Sequence, residues 1–523
     1  MKRLYIVLVL ILLSFNVISA TIINVPADQP TIQSGIDASS AGDTVLVADG
    51  TYSGAGNFNI SIGGHALTLI SEHGASNCTI SPGGPENRCF IISSDIDQST
   101  LIDGFTVYNG TSQASGAGVY CSQNSSPIIS NCTFIYMVSY DDGGVMYLAN
   151  NSTATIRNCL FESNAAFETG GAIFSNSSSG IIENCQFIEN QAIRGGAIVC
   201  TNGGSPIIRN CEFDENHSTE VGGTIYLKEC TPEIAFCTIK NTVMSINGGG
   251  IFCGMSADAN IHHCTFAYNT CMEYGNGICC ANCSPNIAYC LFEYNRDFNP
   301  GGGGIACLNG TQAFISNCTF YRNMANQGGA IYSLNSTVTI TNSLLWYNEA
   351  DNDYSEIDYI GDAPVVRYCD VYGGWPGEGN LNCEPLYCYA DTGNYYLQAV
   401  SCCLNAAETG NHIGAFGIGC GGLDYYPGDI NMAIGQWPPQ VIGEDLTYLV
   451  NFLRSTNAPC LLDSFFCPAD INGDCHVIGS DATRMVNYFR EMVDISFCLE
   501  KPPMWRILDD LPVESPVSWP NCE

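Results

Sequence analysis

Between positions 470 and 481 the chain carries oxygen donors at the spacing that wraps a loop around a hard cation. Asp470, Asn472 and Asp474 stand at loop positions 1, 3 and 5, His476 offers its backbone carbonyl at 7, and Asp481 falls at 12. Several oxygens converging on one point is the chemistry of Ca2+ binding. The competing reading is an Asx-rich helix cap with Asp481 as the N-cap. Cys475 stands where a glycine is expected at the sharp turn, which counts against the loop. A near-duplicate begins at Asp429, but five extra residues intervene and Met432 and Ala433 replace the later ligands. Asp429, Asn431 and Asp445 survive there as a weaker set.

A second group of residues could act on sugars. Cleavage of a uronate needs a basic side chain beside carboxylates, and glycoside hydrolysis needs paired carboxylates flanking the bond. Glu189, Asp214, Glu215 and Lys240 each follow a recurring Phe or its equivalent closely, so they become neighbours if the repeats stack. The alternative is ordinary solvated turn residues. Aromatic rings suit glycan contact, because a flat face can lie on a sugar. Tyr268, Tyr294, Tyr321, Trp346 and Tyr347 gather in the last repeats, and Tyr120, Tyr147, Phe174, Tyr226, Phe252 and Tyr332 share one repeat position. The rival view is that such rings only stabilise the stack or lie under a loop. His262-His263 takes a corner position as a structural stand-in, and the acidic run Asp351, Asp353, Glu356, Asp358 and Asp362 reads as a solvated excursion.

What could position these groups is a repeat. Cys78, Phe105, Cys132, Cys159, Cys185, Cys211, Cys237, Cys264, Cys290, Cys318, Ser343 and Cys369 form one column with steps of 25 to 28 residues. A second column runs Val119, Met146, Ile173, Ile198, Ile225, Ile251, Ile278, Ile305 and Ile331 with steps of 25 to 27. Two independent columns with one period mark a solenoid. The apolar residues come in short β-branched runs between turn residues, without a 3.6-residue rhythm, so each unit is three short strands. Stacked about 4.8 Å apart, such units bury a continuous interior that no single unit could bury. The fold expected is mainly β, a right-handed parallel β-helix of about twelve coils with a small α-helical C-terminal calcium-loop domain.

Cys and Phe two residues apart point the same way, so both belong inside with the Ile column. Asn131, Asn158, Asn184, Asn210, Asn317 and Asn342 sit at a corner, where stacked amides are expected to hydrogen-bond along the column. The double glycines supply bends. Column cysteines fill a narrow interior as thiols, because in-register stacking holds their Cβ atoms farther apart than a disulfide allows. Bridges are expected off the columns, among Cys383, Cys388, Cys402, Cys403 and Cys420 or around Cys460, Cys467, Cys475 and Cys498.

Composition restricts the partners. Lys2 and Arg3 precede an apolar run from Leu4 to Leu13, closing at Ser19-Ala20, which reads as a signal peptide over residues 1–20. No later stretch reaches the roughly 20 apolar residues of a transmembrane helix. The net charge is −35, so phosphate backbones are repelled and nucleic acid is excluded as a partner. The body spans residues 21–420, a paired loop-helix module 424–498 and a tail 499–523.

Three resemblances follow from these motifs. Val25-Pro26, Pro30-Thr31-Ile32-Gln33 and Gly42-Asp43-Thr44-Val45-Leu46-Val47 resemble the amino-terminal cap of pectate-lyase-like right-handed β-helices, which implies a short helix followed by the first strand. Gly-Gly-Ala-Ile combined with Phe-x-x-Asn, as at Phe161 to Asn164 and Phe187 to Asn190, is similar to repeats of the polymorphic outer-membrane protein type. The paired segments from Asp429 and Asp470 resemble type I dockerins, which implies Ca2+ and a cohesin-like partner. The fold carries lyases, hydrolases and adhesins alike, so it does not fix the chemistry. The leading expectation is a secreted, non-catalytic scaffold for carbohydrate binding or adhesion. A polysaccharide lyase or glycoside hydrolase is the alternative, and a structural cell-surface protein the third.

Overall fold

A computed structural model describes residues 20–420 apart from 85, 94–95, 244, 297–299 and 351–354. The described residues divide into a large unit, residues 20–384 with 405–416, and a smaller one, 385–404 with 417–420.

The large unit is the predicted parallel solenoid. Each coil runs through sheet C, sheet A, sheet B and, in the middle coils, a short sheet D, as in Val119–Cys121, Ile128–Ser130, Thr133–Ile135 and Val138–Ser139. Sheet A has fourteen strands, from Ile22–Val25 to Val365–Arg367, sheet B thirteen, sheet C twelve and sheet D seven. The cysteine column undercounts the coils because the first ones, marked by Ile22–Val25 and Thr44–Val47, carry no cysteine.

Both columns hold in register. Val119, Met146, Ile173 and Ile198 pair one above the next, and so on to Ile331 and Ile357. The column cysteines sit buried at the start of sheet B, and Phe134, Phe161, Phe187 and Phe213 line up beside them. The Phe187 ring lies parallel to Phe161 and Phe213, with centroids 4.7 and 4.8 Å away. Cys264 is a thiol whose single proton faces two acceptors, the His262 carbonyl at 3.3 Å and the Ile234 carbonyl one coil away at 3.5 Å from Sγ. Burial pushes the Cys369 thiol up to about 12. In the smaller unit Cys388 and Cys420 form a disulfide, one of the off-column positions expected to bridge.

Two features differ from expectation. The amide ladder is not at Asn131, Asn158, Asn184, Asn210, Asn317 and Asn342. Those residues turn the corner between sheets A and B in the left-handed region, with φ from 50° to 53°, and Asn158 Nδ2 reaches Asn131 Oδ1 only at 3.3 Å. The ladder is the Phe-x-x-Asn column past sheet B. Asn164, Asn190, Asn216, Asn269, Asn295, Asn323 and Asn348 are fully buried. Asn269 Nδ2 donates to Asn295 Oδ1 at 2.9 Å and to the Ile239 carbonyl at 2.9 Å, while the Asn269 backbone N–H donates to Asn295 Oδ1 at 3.0 Å. Every buried amide thus finds partners along the axis. The ladder ends on Glu356, which accepts from Asn348 N at 3.2 Å and Nδ2 at 2.5 Å. Glu356 is buried, not part of a solvated excursion, and burial pushes its carboxyl up to about 8.

The amino-terminal cap also differs in order. Strand Ile22–Val25 precedes the helix α1, Ile32–Asp37, and pairs in parallel with Thr44–Val47. Thr31 and Ser34 close a capping box on α1, and Gly35 lets the helix approach so closely that a Cβ there would stand 2.9 Å from Val25 and from Val45. The double glycines act as expected: Gly170 has φ of 69°, and a Cβ on Gly171 would lie 2.0 Å from the Gly196 carbonyl oxygen of the next coil.

Candidate functional site

The outer face of sheet B gathers the residues that could act on a ligand. Its inward positions are fixed by the phenylalanine column, and the flanking positions face out. Asp214 pairs with Lys240, Lys240 with Ala267, Ala267 with Glu293, Glu293 with Tyr321 and Tyr321 with Trp346, making one outward row. One residue further along each coil the chain turns in the left-handed region, forming a second row of Asn109, Tyr136, Ser163, Glu189, Glu215, Asn241, Tyr268, Tyr294, Arg322 and Tyr347, with φ of 50° to 59°. The carboxylates and the rings singled out from the sequence therefore share two adjacent rows on one face.

At the centre, Lys240 Nζ lies 2.7 Å from Glu212 Oε1 and 3.4 Å from Asp214 Oδ2. Asn241 Nδ2 donates to Asp214 Oδ1 at 2.7 Å. The hydrogen bond to Glu212, with the charge of both carboxylates, raises the Lys240 pKa, so this side chain is a fixed ammonium donor and not a base. Glu212 is the residue the sequence reading missed. Its signal was parity, since it lies two residues before Asp214 and so on the same side of the strand. Glu189 and Glu215 stand on the neighbouring left-handed row, and Glu189 accepts from Ser163 Oγ at 2.9 Å.

Toward the later coils the face becomes aromatic. Tyr268 and Tyr294 stack with centroids 5.3 Å apart and planes 7° from parallel. The Arg322 guanidinium lies 5.9 Å from the Tyr294 ring centre and donates to its hydroxyl at 3.1 Å. Tyr268 begins this ring stack and is 53% exposed, with Asn241 at the equivalent position one coil earlier. Tyr321 and Trp346 are each only 4% exposed and are not open platforms. Trp346 packs edge-on against Tyr372 with centroids 5.1 Å apart, and Tyr347 lies 5.8 Å from Trp346. Residues 405–416 return across this end of the face, where Gly414 N donates to the Asn342 carbonyl at 2.8 Å and Ala415 N to Thr319 Oγ1 at 2.9 Å.

The rings after the Ile column sit on the outer face of sheet C. Tyr120, Tyr147 and Phe174 stack at 5.6 and 5.4 Å. Phe174 and Tyr332 are buried, and Tyr332 belongs to a satellite cluster with Cys279, Ala306 and Leu308, so these two are covered and not open platforms. His263 holds a corner with φ of 54°, stacked between Phe236 and Tyr289 at 4.8 and 4.9 Å. The predicted calcium ligands Asp470, Asn472, Asp474, His476 and Asp481, and the weaker Asp429, Asn431 and Asp445, lie outside the described residues, as do residues 1–19 of the expected signal peptide. Among the described residues no helix is long and apolar enough to cross a membrane.

Residues 14–191, 69–239 and 249–374 match the right handed beta helix region family, and the chain belongs to that family. No curated protein matches the chain. Solved structures with a similar course include the PL6 family polysaccharide lyase Pedsa3628 from Pseudopedobacter saltans, at 10% identity, 66% of this chain, 92% of that one and a TM-score of 0.34. The catalytic domain of a GH87 alpha-1,3-glucanase in complex with nigerose aligns at 10% identity over 70% of this chain and 68% of that one, TM-score 0.27. Tailspike protein gp49 from the Acinetobacter baumannii bacteriophage Fri1, a capsular polysaccharide depolymerase, aligns at 10% identity over 65% and 56%, TM-score 0.22. Likenesses at these scores carry no inference about chemistry.

Proposed function

We propose that the protein is an exported, carbohydrate-binding β-helix scaffold whose glycan contact lies on the outer face of sheet B. The observation that carries this reading is the exposed Tyr268 ring beside Lys240, Asp214 and Asn241, an aromatic surface next to hydrogen-bonding groups. Catalysis is disfavoured because Lys240, the basic side chain among the described residues at the centre of the face, is held as an ammonium by two carboxylates. The test is binding of the full-length protein to neutral and uronate glycans, with reducing ends and unsaturated products recorded in parallel. Binding without turnover, weakened about tenfold by Tyr268→Asn, is the expected result. Asparagine suits the left-handed backbone at that position, so the fold is kept. Sustained turnover removes the scaffold reading in favour of a lyase or hydrolase. Failure to bind any glycan, with assembly into sheets or filaments, favours a structural surface protein.

The loop from Asp470 to Asp481 completes the proposal as a Ca2+-binding, dockerin-like attachment to a cohesin-like partner. Its support is the ligand spacing in the sequence. Asp470→Ala with Asp481→Ala in the full chain is expected to abolish Ca2+-dependent thermal stabilisation, and an unchanged response removes the assignment.

A further inference from the structure

The same face of sheet B has a second aromatic end. In the outward row Tyr108 pairs with Ile135, and in the left-handed row Tyr136 stands one coil before Ser163. Tyr108 and Tyr136 meet edge to face with centroids 5.9 Å apart, and they are 43% and 51% exposed. Ser163 follows Tyr136 in its row and Asn241 precedes Tyr268, so each exposed ring borders a smaller polar residue on the side toward the middle. From Tyr136 through Ser163, Glu189, Glu215 and Asn241 to Tyr268 there are five steps, about 24 Å at one coil per ~4.8 Å.

The stretch between the two ends is strongly one-signed. Glu162, Glu189, Asp214, Glu215 and Glu212 lie there, and Lys240 is already held by the last two outward-facing carboxylates it touches, Glu212 and Asp214. Carboxylates accept hydrogen bonds from hydroxyl groups and repel other carboxylates at this range. Resting on the glycan-binding reading above, we infer that the ligand is an uncharged polysaccharide lying along the solenoid axis, anchored by rings at both ends of a five-coil span, and that uronate polymers are rejected. The exposed rings supply apolar contact at the ends, and the acidic rows take the hydroxyls between them. The occupant is a sugar chain and not a protein segment because a run of hydroxyl donors matches the acceptors Ser163, Glu189, Glu215 and Asn241 repeated once per coil.

Calorimetric titration of the full-length protein with uncharged β-linked gluco- and xylo-oligosaccharides of three and six units, and with oligouronates of the same lengths, tests this. The hexamers are expected to bind at least about tenfold more tightly than the trimers, and the oligouronates not to bind. Tyr108→Thr with Tyr136→Asn is expected to reduce hexamer affinity to the trimer level and to leave trimer affinity unchanged, with thermal stability retained. Equal affinity for trimer and hexamer, an unaffected hexamer in the double variant, or tighter oligouronate binding overturns the two-ended, uncharged ligand while leaving a site at Tyr268 in place. Absence of all sugar binding, with Tyr268→Asn silent, removes the glycan reading itself and this inference with it.

Discussion

The two rows inside sheet B and the two rows outside it share one register yet follow opposite rules. Inside, Phe and Asn recur almost unchanged from coil to coil; outside, the same coils carry Glu, Lys, Ala, Tyr and Trp in turn. The difference lies in what each side chain must satisfy. A buried ring or amide is completed by an identical neighbour one coil away, so its identity is locked to the period. A solvent-facing residue is completed by water, and its identity is free to serve a ligand. In a solenoid, function therefore sits where the repeat is broken on the outside.

This contrast predicts a graded response. Phe292→Ala removes a fully buried ring stacked 4.8 and 4.7 Å from Phe266 and Phe320, and should cost about 3–5 kcal/mol, read as a large drop in the denaturation midpoint. A loss under about 1 kcal/mol would mean that the interior collapses around vacancies and that the locking argument is wrong. Asn295→Ala should cost about 2–4 kcal/mol, because Asn269 then loses an acceptor for both its Nδ2 and its backbone N–H. Its control, Asn210→Gly at the exposed corner, should change stability by less than about 1 kcal/mol. Equal effects of the two asparagine changes would erase the distinction between ladder and corner.

The next effect is pH-dependent. Glu356 has its carboxyl raised to about 8 in the folded chain against the ordinary 4.5, so it holds a proton in the native state that the unfolded chain has released. Its stabilisation is full below pH 4.5 and is lost as pH rises through 8, about 1.5 kcal/mol between pH 6.5 and 8. Glu356→Gln should flatten that slope in midpoints measured across the range, and an unchanged slope would place the titration elsewhere. The smallest effect belongs to the outer face. Lys240→Gln breaks partly exposed ion pairs with Glu212 and Asp214 and should cost no more than about 1 kcal/mol, with the cost shrinking as salt is added.

Much of this was legible in the sequence. The cysteine and isoleucine columns predicted the register strand by strand, because two independent positions with one period leave little freedom. The ladder was misplaced for a definite reason. Counting by alternation puts the Asn three residues after Phe292 on the outer side, but Tyr294 lies between them with φ of 50° and swings the chain so that Asn295 returns inward. A left-handed tyrosine is not announced by its type. Tyr321 and Trp346 were misread for another reason: the rings that enclose Trp346 include Tyr372 from a later coil, and the segment 405–416 arrives across that end from later still. Nothing local to Tyr321 or Trp346 encodes that cover. The pairing of Asp214 with Lys240, by contrast, followed directly from the period.

One coil keeps the cysteine column but breaks the two other inner columns of sheet B. Where adjacent coils place Phe213 and Phe266 it has Ile239, and where they place Asn216 and Asn269 it has Thr242, whose hydroxyl turns to Thr224 at 2.7 Å. The amide spine is thereby cut into two lengths, one ending at Asn216 and one starting at Asn269. Since each coil is held only by the coils beside it, such a splice is where hydrogen exchange should open first and where a pulled filament should part. The same coil carries Lys240 and Asn241 on its surface, so the splice lies directly beneath the polar groups proposed to hold a glycan.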